Sequence, residues 1–283
     1  MSESAAASAP ASSANLGPGF DVLALALELR CRVEAVRAES WSVTHHGEHS
    51  PLDGAGDAVL DSARRAVGSD IPLRLSVDNS IPLGKGLGSS AAAIAAGTAA
   101  AWRAVDRDFD PTDVYDRVAE LEGHCDNAAA AVFGGLVMCG DYMPPQRLEL
   151  HPIYRPFVLI PPTTTYTKDS RGSISDTYQR AVVVRTISRV THLVAGLTGG
   201  DPSLLEGAGG DEIHEVIRGD ALPQLKELME VARSSGAAHV AVSGSGPTVL
   251  ALVTDEAIDA FKMGVSDVDA EVLHLPVAEK GLD

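Results

Sequence analysis

Lysine is scarce in this chain. Of the 22 basic residues among 283, only Lys85, Lys168, Lys226, Lys262 and Lys280 are lysine, and 39 acidic residues bring the formal charge to −17. Binding to a nucleic acid backbone needs clustered Lys and Arg, so that class of partner is excluded. Cysteine is equally sparse: Cys31, Cys125 and Cys139 are too few for a disulfide framework and suit a reducing cytoplasm. No apolar run reaches the ~20 residues that span a bilayer. Met1–Ala9 has neither a basic stretch nor a long apolar core, so neither a membrane span nor a signal peptide is expected. No internal repeat or low-complexity linker is visible. The acidic, lysine-poor composition fits a high-salt cytoplasm and a high-GC genome equally well. A protein this acidic that acted on anions would have to concentrate its few arginines locally, which draws attention to Arg171 and Arg218.

Strand-like and helix-like segments succeed one another without strict alternation. Residues 22–37 alternate like one long strand or a strand pair, and residues 71–77 read as another strand. The Ala-rich stretch 89–105 and residues 111–123, with an early proline and acidic residues in the body, read as helices. Residues 133–140 and 157–160 read as strands, 177–197 and 222–234 as helices, and 239–243 and 249–254 as strands. This order predicts an α+β fold rather than a doubly wound sheet, with two halves, residues 1–150 and 151–283. Residues 4–9 (SAAASA) are poor strand formers, so a frayed or rebuilt edge is expected there.

The segment Pro82-Leu83-Gly84-Lys85-Gly86-Leu87-Gly88-Ser89-Ser90-Ala91-Ala92 sets three alternating glycines before a helix start. Glycines let backbone N–H groups turn toward a ligand, and a helix N-terminus adds partial positive charge. A polyphosphate is the natural guest. An ordinary glycine turn capped by two serines is the other reading. The spacing excludes the Walker A and dinucleotide patterns.

Three further segments accompany it: Ser13-Ala14-Asn15-Leu16-Gly17-Pro18-Gly19-Phe20-Asp21, Glu122-Gly123-His124-Cys125-Asp126-Asn127 and Val242-Ser243-Gly244-Ser245-Gly246-Pro247-Thr248. The ordered set, over roughly residues 10–255, resembles the GHMP small-molecule kinases, most closely the branch that phosphorylates homoserine. The resemblance implies an N-terminal α+β domain, a ferredoxin-like C-terminal domain and a site in the cleft between them. It implies transfer of the γ-phosphate of ATP to the hydroxyl of L-homoserine with Mg²⁺, on the route to threonine. Expected partners are the small-molecule substrate and, at most, a second copy of the chain.

The resemblance also assigns residues. Pro82 to Ala92 would hold the nucleotide, and Ser90 and Glu122 would supply oxygens to Mg²⁺. Glu122 is otherwise a solvated helical glutamate. Read without the family, Asp126 or His124, placed on a turn, looks like a general base. By the resemblance no carboxylate base operates: Asn127 orients the hydroxyl and γ-phosphate, and His124 contacts substrate. Asn15 and Asp21 would take the ammonium of homoserine. Thr167, Arg171 and Arg218 would take its carboxylate, with Arg171 also among the catalytic residues and Gly244 in the closing loop. Cys125 and Thr186 depart from the family, which usually has proline and asparagine there. Kinases of mevalonate, shikimate or pantoate type lack the ammonium pair. A non-catalytic relative would be expected to lose Ser90, Glu122 or Asn127, and all three are here.

Overall fold

The computed structural model describes residues 4–47, 49–51, 56–140, 143–164 and 174–283. A six-stranded sheet comprises β1 (Ala5–Ala14), β2 (Leu23–Arg37), β3 (Ser42–His46), β4 (Leu73–Asn79), β5 (Leu136–Gly140) and β6 (Met143–Leu148). Its order is β3-β4-β2-β5-β6, with β1 pairing β2; β3 runs parallel to β4 and the other pairs are antiparallel. Residues 22–37, compatible with one strand or two, form the single strand β2. Its register slips at Pro10/Ala11 opposite β1, a bulge that absorbs proline's missing donor.

Helices α1 (Ala58–Val67), α2 (Ser89–Ala104), α3 (Pro111–Glu122) and α4 (Asp126–Phe133) accompany this sheet. The expected frayed N-terminal edge does not occur. β1 is a ten-residue strand whose residues from Ala7 onward are buried. Its weak intrinsic propensity is overridden by burial against the Ala-rich faces of α2 and α4, where only small side chains fit.

The second sheet, order β10-β7-β9-β8, contains β7 (Tyr154–Ile160), β8 (His239–Val242), β9 (Val249–Thr254) and β10 (Glu271–His274), all antiparallel. Helices α5 (Arg180–Gly199), α6 (Pro202–Glu206), α7 (Glu215–Ala221), α8 (Pro223–Ser234) and α9 (Ile258–Gly264) join its strands, a ferredoxin-like arrangement. Alternation in β7 splits the core. Phe157 and Leu159 pack with α8 and α9 residues such as Leu228 and Phe261, whereas Val158 and Ile160 join Leu193 and Leu197 in the large core shared with the first sheet. The chain then returns: Ala278 N donates to Ala26 O at 3.0 Å and Leu282 N to Val132 O at 3.1 Å. No helix among the described residues is long and apolar enough to cross a membrane.

Candidate active site

Two glycine loops, one from each half, interlock beside a cleft of about 120 Å³. The first begins after β4 and ends at Gly88, which caps α2 in the left-handed region at φ +65° with no side-chain capping bond. The second joins β8 to β9. Ser243 Oγ donates to Gly86 O at 2.8 Å, and Thr248 N donates to Lys85 O at 3.3 Å. The cleft is lined by Asn15, Pro82, Gly84 to Ser90, Glu122, His124, Asp126, Asn127, Arg218 and Gly244. Ala91 and Ala92 face the core and are fully buried, and Leu83 lines a neighbouring recess. Thr167 and Arg171 lie outside the described residues.

On one wall, Glu122 closes α3 just before Gly123 turns the chain at φ +77°. Its carboxylate accepts from Ser90 Oγ at 2.5 Å, and its other oxygen lies 3.7 Å from His124 Nε2. Two hard oxygen donors thus meet beside the N-terminus of α2. That is donor chemistry Mg²⁺ accepts when phosphate and water complete its shell. Among the described residues no group of three or more His, Cys, Asp or Glu side chains converges for a metal.

The segment 124–127, expected as a turn, is instead a helix start: Asp126 and Asn127 open α4. Asp126 is 1% exposed, and its Oδ1 accepts from His124 Nδ1 at 2.7 Å and from Asn127 N at 2.7 Å. One oxygen of the carboxylate is thus engaged by His124 and by the backbone N–H of Asn127 at the start of α4. Asn127 Oδ1 accepts from Ser12 Oγ at 2.8 Å, which places Ser12, not singled out in the sequence, behind Asn127. Cys125 Sγ meets Cys139 Sγ at 2.8 Å and fastens this segment to β5.

Across the cleft, Asn15, Leu16 and Gly17 occupy the left-handed region in succession, at φ +73°, +52° and +81°. Non-glycine residues hold that conformation only when surroundings over-determine it. Here Asn15 Oδ1 accepts from Asp21 N at 3.1 Å and Asn15 Nδ2 donates to Gly244 O at 3.0 Å. Two buried histidines of the other half complete the restraint. His239 Nε2 donates to Leu16 O at 3.0 Å and His214 Nε2 to Gly17 O at 2.8 Å. Burial holds both imidazoles neutral, with pKa values lowered to about 4. Asp21 sits on this loop but does not line the main cleft.

Arg218, on α7, is 4% exposed and donates through Nη1 to Gly244 O at 2.5 Å and to His214 Nδ1 at 2.6 Å. Beside it, Glu215 is buried, and Oε1 accepts from Val242 N at 2.7 Å; desolvation raises its pKa to about 7. Asp211 Oδ2 accepts from the backbone N–H of Ile213, His214 and Glu215, fixing the entry to α7. Lys85 turns away from the glycine loop's interior: Nζ donates to the carbonyls of Pro161, Pro162 and Thr163 at 2.7, 2.8 and 2.5 Å.

A second recess of about 370 Å³ adjoins the first loop, lined by Cys31, His45, Asp57, Val77, Asn79 and Leu83 among others. His45 Nε2 lies 2.6 Å from Asp57 Oδ2, and Asp57 caps α1 by accepting from Leu60 N at 2.9 Å. Sequence reasoning missed this recess. Its far walls come from β2, β3, β4 and α1, segments with no local motif, although Leu83, Gly84, Ser89 and Ser90 close it from the glycine-loop side.

The two-layer α+β architecture, with a glycine loop feeding a helix at the junction of the halves, defines a small-molecule kinase of GHMP type. Family models agree: "GHMP kinases N terminal domain" matches residues 56–135 and "GHMP kinases C terminal" matches residues 194–266. The chain is 36% identical over 251 residues to a homoserine kinase of Moorella thermoacetica, covering 86% of this chain and 85% of that protein. It is 38% identical over 288 residues to a homoserine kinase of a Mycobacterium species (strain KMS), covering 93% and 90%. The crystal structure of homoserine kinase from Cytophaga hutchinsonii superposes with a TM-score of 0.85 at 28% identity, covering 100% of this chain and 98% of that one. A mevalonate kinase structure, at 11% identity and a TM-score of 0.69, shares the fold alone. The chain belongs to the homoserine kinase family of the GHMP kinases.

Proposed function

We propose that the protein transfers the γ-phosphate of ATP to the side-chain hydroxyl of L-homoserine. The observation that carries this reading is one cleft with anion-binding backbone and the Ser90–Glu122 oxygen pair on one wall, and Arg218 and Asn15 on the other. In the transfer, the substrate hydroxyl oxygen forms a bond to the γ-phosphorus, the bond to the β-bridging oxygen breaks, and ADP leaves. Because this transition state is loose, the protein contributes position and charge more than covalent chemistry. The loop from Gly84 to Gly88 and the first turn of α2 offer N–H groups to the triphosphate. The recess beside Leu83 is the place for the nucleoside. Ser90 and Glu122 would hold Mg²⁺, which when bound neutralises charge on the phosphates.

Asn127 would orient the hydroxyl, its amide held in place by Ser12. The hydroxyl proton would pass to the transferred phosphate, since the Asp126 carboxylate is already engaged by His124 and the start of α4. Asp126→Asn is therefore expected to lower kcat less than Asn127→Leu, by roughly tenfold against a hundredfold, the range for removing one positioned hydrogen-bonding group. The opposite order, with a lost limb in the pH–rate profile, would make Asp126 the base.

Arg218 would take the homoserine carboxylate and Asn15 the ammonium, with Asp21, joined to Asn15 through its backbone N–H just beyond the cleft lining, adding its negative charge at that end. The test is ADP release with purified protein, Mg-ATP and a panel of alcohols. kcat/KM for L-homoserine is expected to exceed that for mevalonate, shikimate or pantoate by at least about tenfold, because polar groups left unpaired in a site reject analogues lacking their partner. Preference for an acceptor without an amino group would overturn the reading.

A further inference from the structure

We infer that His214 is a positioning residue for homoserine, fixed as one neutral tautomer that links Arg218 to the Asn15–Asp21 loop of the other domain. The inference deepens the proposed function and rests on Arg218 meeting the substrate carboxylate. His214 is fully buried, and its ring stacks on Phe20 with centroids 5.1 Å apart. The partners leave the proton one place. Arginine has no acceptor, so Nδ1, 2.6 Å from Arg218 Nη1, presents its lone pair. A backbone carbonyl has no donor, so Nε2, 2.8 Å from Gly17 O, carries the hydrogen.

A second proton would remove the acceptor that Arg218 uses and set two cations together. Around the ring, Asp211 Oδ2 lies 3.7 Å from Nε2 and Asp126 acts at longer range in favour of protonation; Arg218 and burial oppose it and prevail. One imidazole thus sets the guanidinium on α7 and the left-handed loop before β2 in register across the domain boundary. Gly244 O of the second glycine loop, which accepts from both Arg218 Nη1 and Asn15 Nδ2, makes a parallel link, so the imidazole adds a second restraint on the same guanidinium.

The test uses His214→Gln in the full-length enzyme. Glutamine can still donate toward Gly17 O but offers Arg218 no acceptor at the Nδ1 position. The expected result is a KM for homoserine raised by about tenfold, the factor for one lost hydrogen bond to a charged group. The KM for ATP should stay within about twofold, because the nucleotide wall does not touch this ring. In an Arg218→Ala background the same change should add nothing to the homoserine KM. Additive effects, or equal losses for both substrates, would overturn the inference and leave His214 as packing. If Arg218→Ala itself leaves homoserine KM unchanged, the carboxylate reading fails instead. Should His214→Gln not fold, ¹⁵N-histidine NMR on the unaltered protein decides. The two buried rings, His214 and His239, should remain neutral and protonated at Nε2 down to pH 5, and only that of His214 should show its Nδ1 resonance shifted in Arg218→Ala. An Nδ1–H tautomer, or a proton gained near pH 6.5, would overturn the assignment.

Discussion

Glu122→Gln is expected to reduce kcat by about a hundredfold or more while leaving the thermal unfolding midpoint nearly unchanged, in line with removal of one preorganised electrostatic group. The carboxylate stands at the end of α3, where its oxygen is 2.5 Å from Ser90 Oγ, and glutamine keeps the shape of that contact while losing the charge. Packing is not disturbed, because α3 is anchored by Val114, Tyr115 and Val118 and by the Asp110–Asp113 capping box at its other end. What is lost is a hard anionic oxygen at the edge of a site that, on the proposed function, gathers a divalent cation and a polyphosphate. Activity should recover partly as Mg²⁺ is raised from micromolar to tens of millimolar concentrations, since mass action compensates a weakened site. Titrating kcat against Mg²⁺ for both proteins, with circular dichroism melts as a control, makes the measurement. Equal activity at the lowest Mg²⁺ would mean that the metal is held by other groups.

What the sequence discloses and what it hides follow one physical division. The first glycine loop is legible because glycine spacing and a helix start are local properties; Gly84, Gly86 and Gly88 all take positive φ. Glu122, Asn127, Arg218 and Asn15 carry motifs that can be spelled out residue by residue, and all line one cleft. The strand formed by SAAASA is illegible because its stability comes from burial against α2 and α4, which no propensity encodes. The helix beginning at Asp126 reads as a turn because Gly123 ends α3 only three residues earlier, and an eight-residue helix that is half alanine gives no amphipathic period. Ser12, His214 and His239 act through partners 115, 197 and 223 residues away. Such roles depend on the domains having docked. Lys85, a member of the glycine loop, has a tie to the end of β7 that its motif does not announce.

The interlock of the two glycine loops should make Gly86→Ala far more damaging than its one added methyl suggests. Gly86 lies at φ +76°, and a Cβ there would stand 2.3 Å from Ser243 O and 2.7 Å from Gly246 O. Both are backbone atoms of the partner loop, so no side chain can swing aside. The loops would have to part, stretching the bonds from Ser243 Oγ to Gly86 O and from Thr248 N to Lys85 O. Gly123 supplies the control, because it lies at φ +77° with nothing within 4 Å of an added Cβ. Gly123→Ala therefore carries only left-handed strain, about 1–2 kcal/mol. Gly86→Ala carries the same strain plus overpacking of roughly 1–3 kcal/mol. Urea unfolding should accordingly place Gly86→Ala below Gly123→Ala in stability, and its kcat/KM should fall by about a hundredfold, as expected when the reacting geometry shifts by an ångström. Equal loss of stability in the two variants would show that the loops separate freely and that the cleft does not depend on their contact.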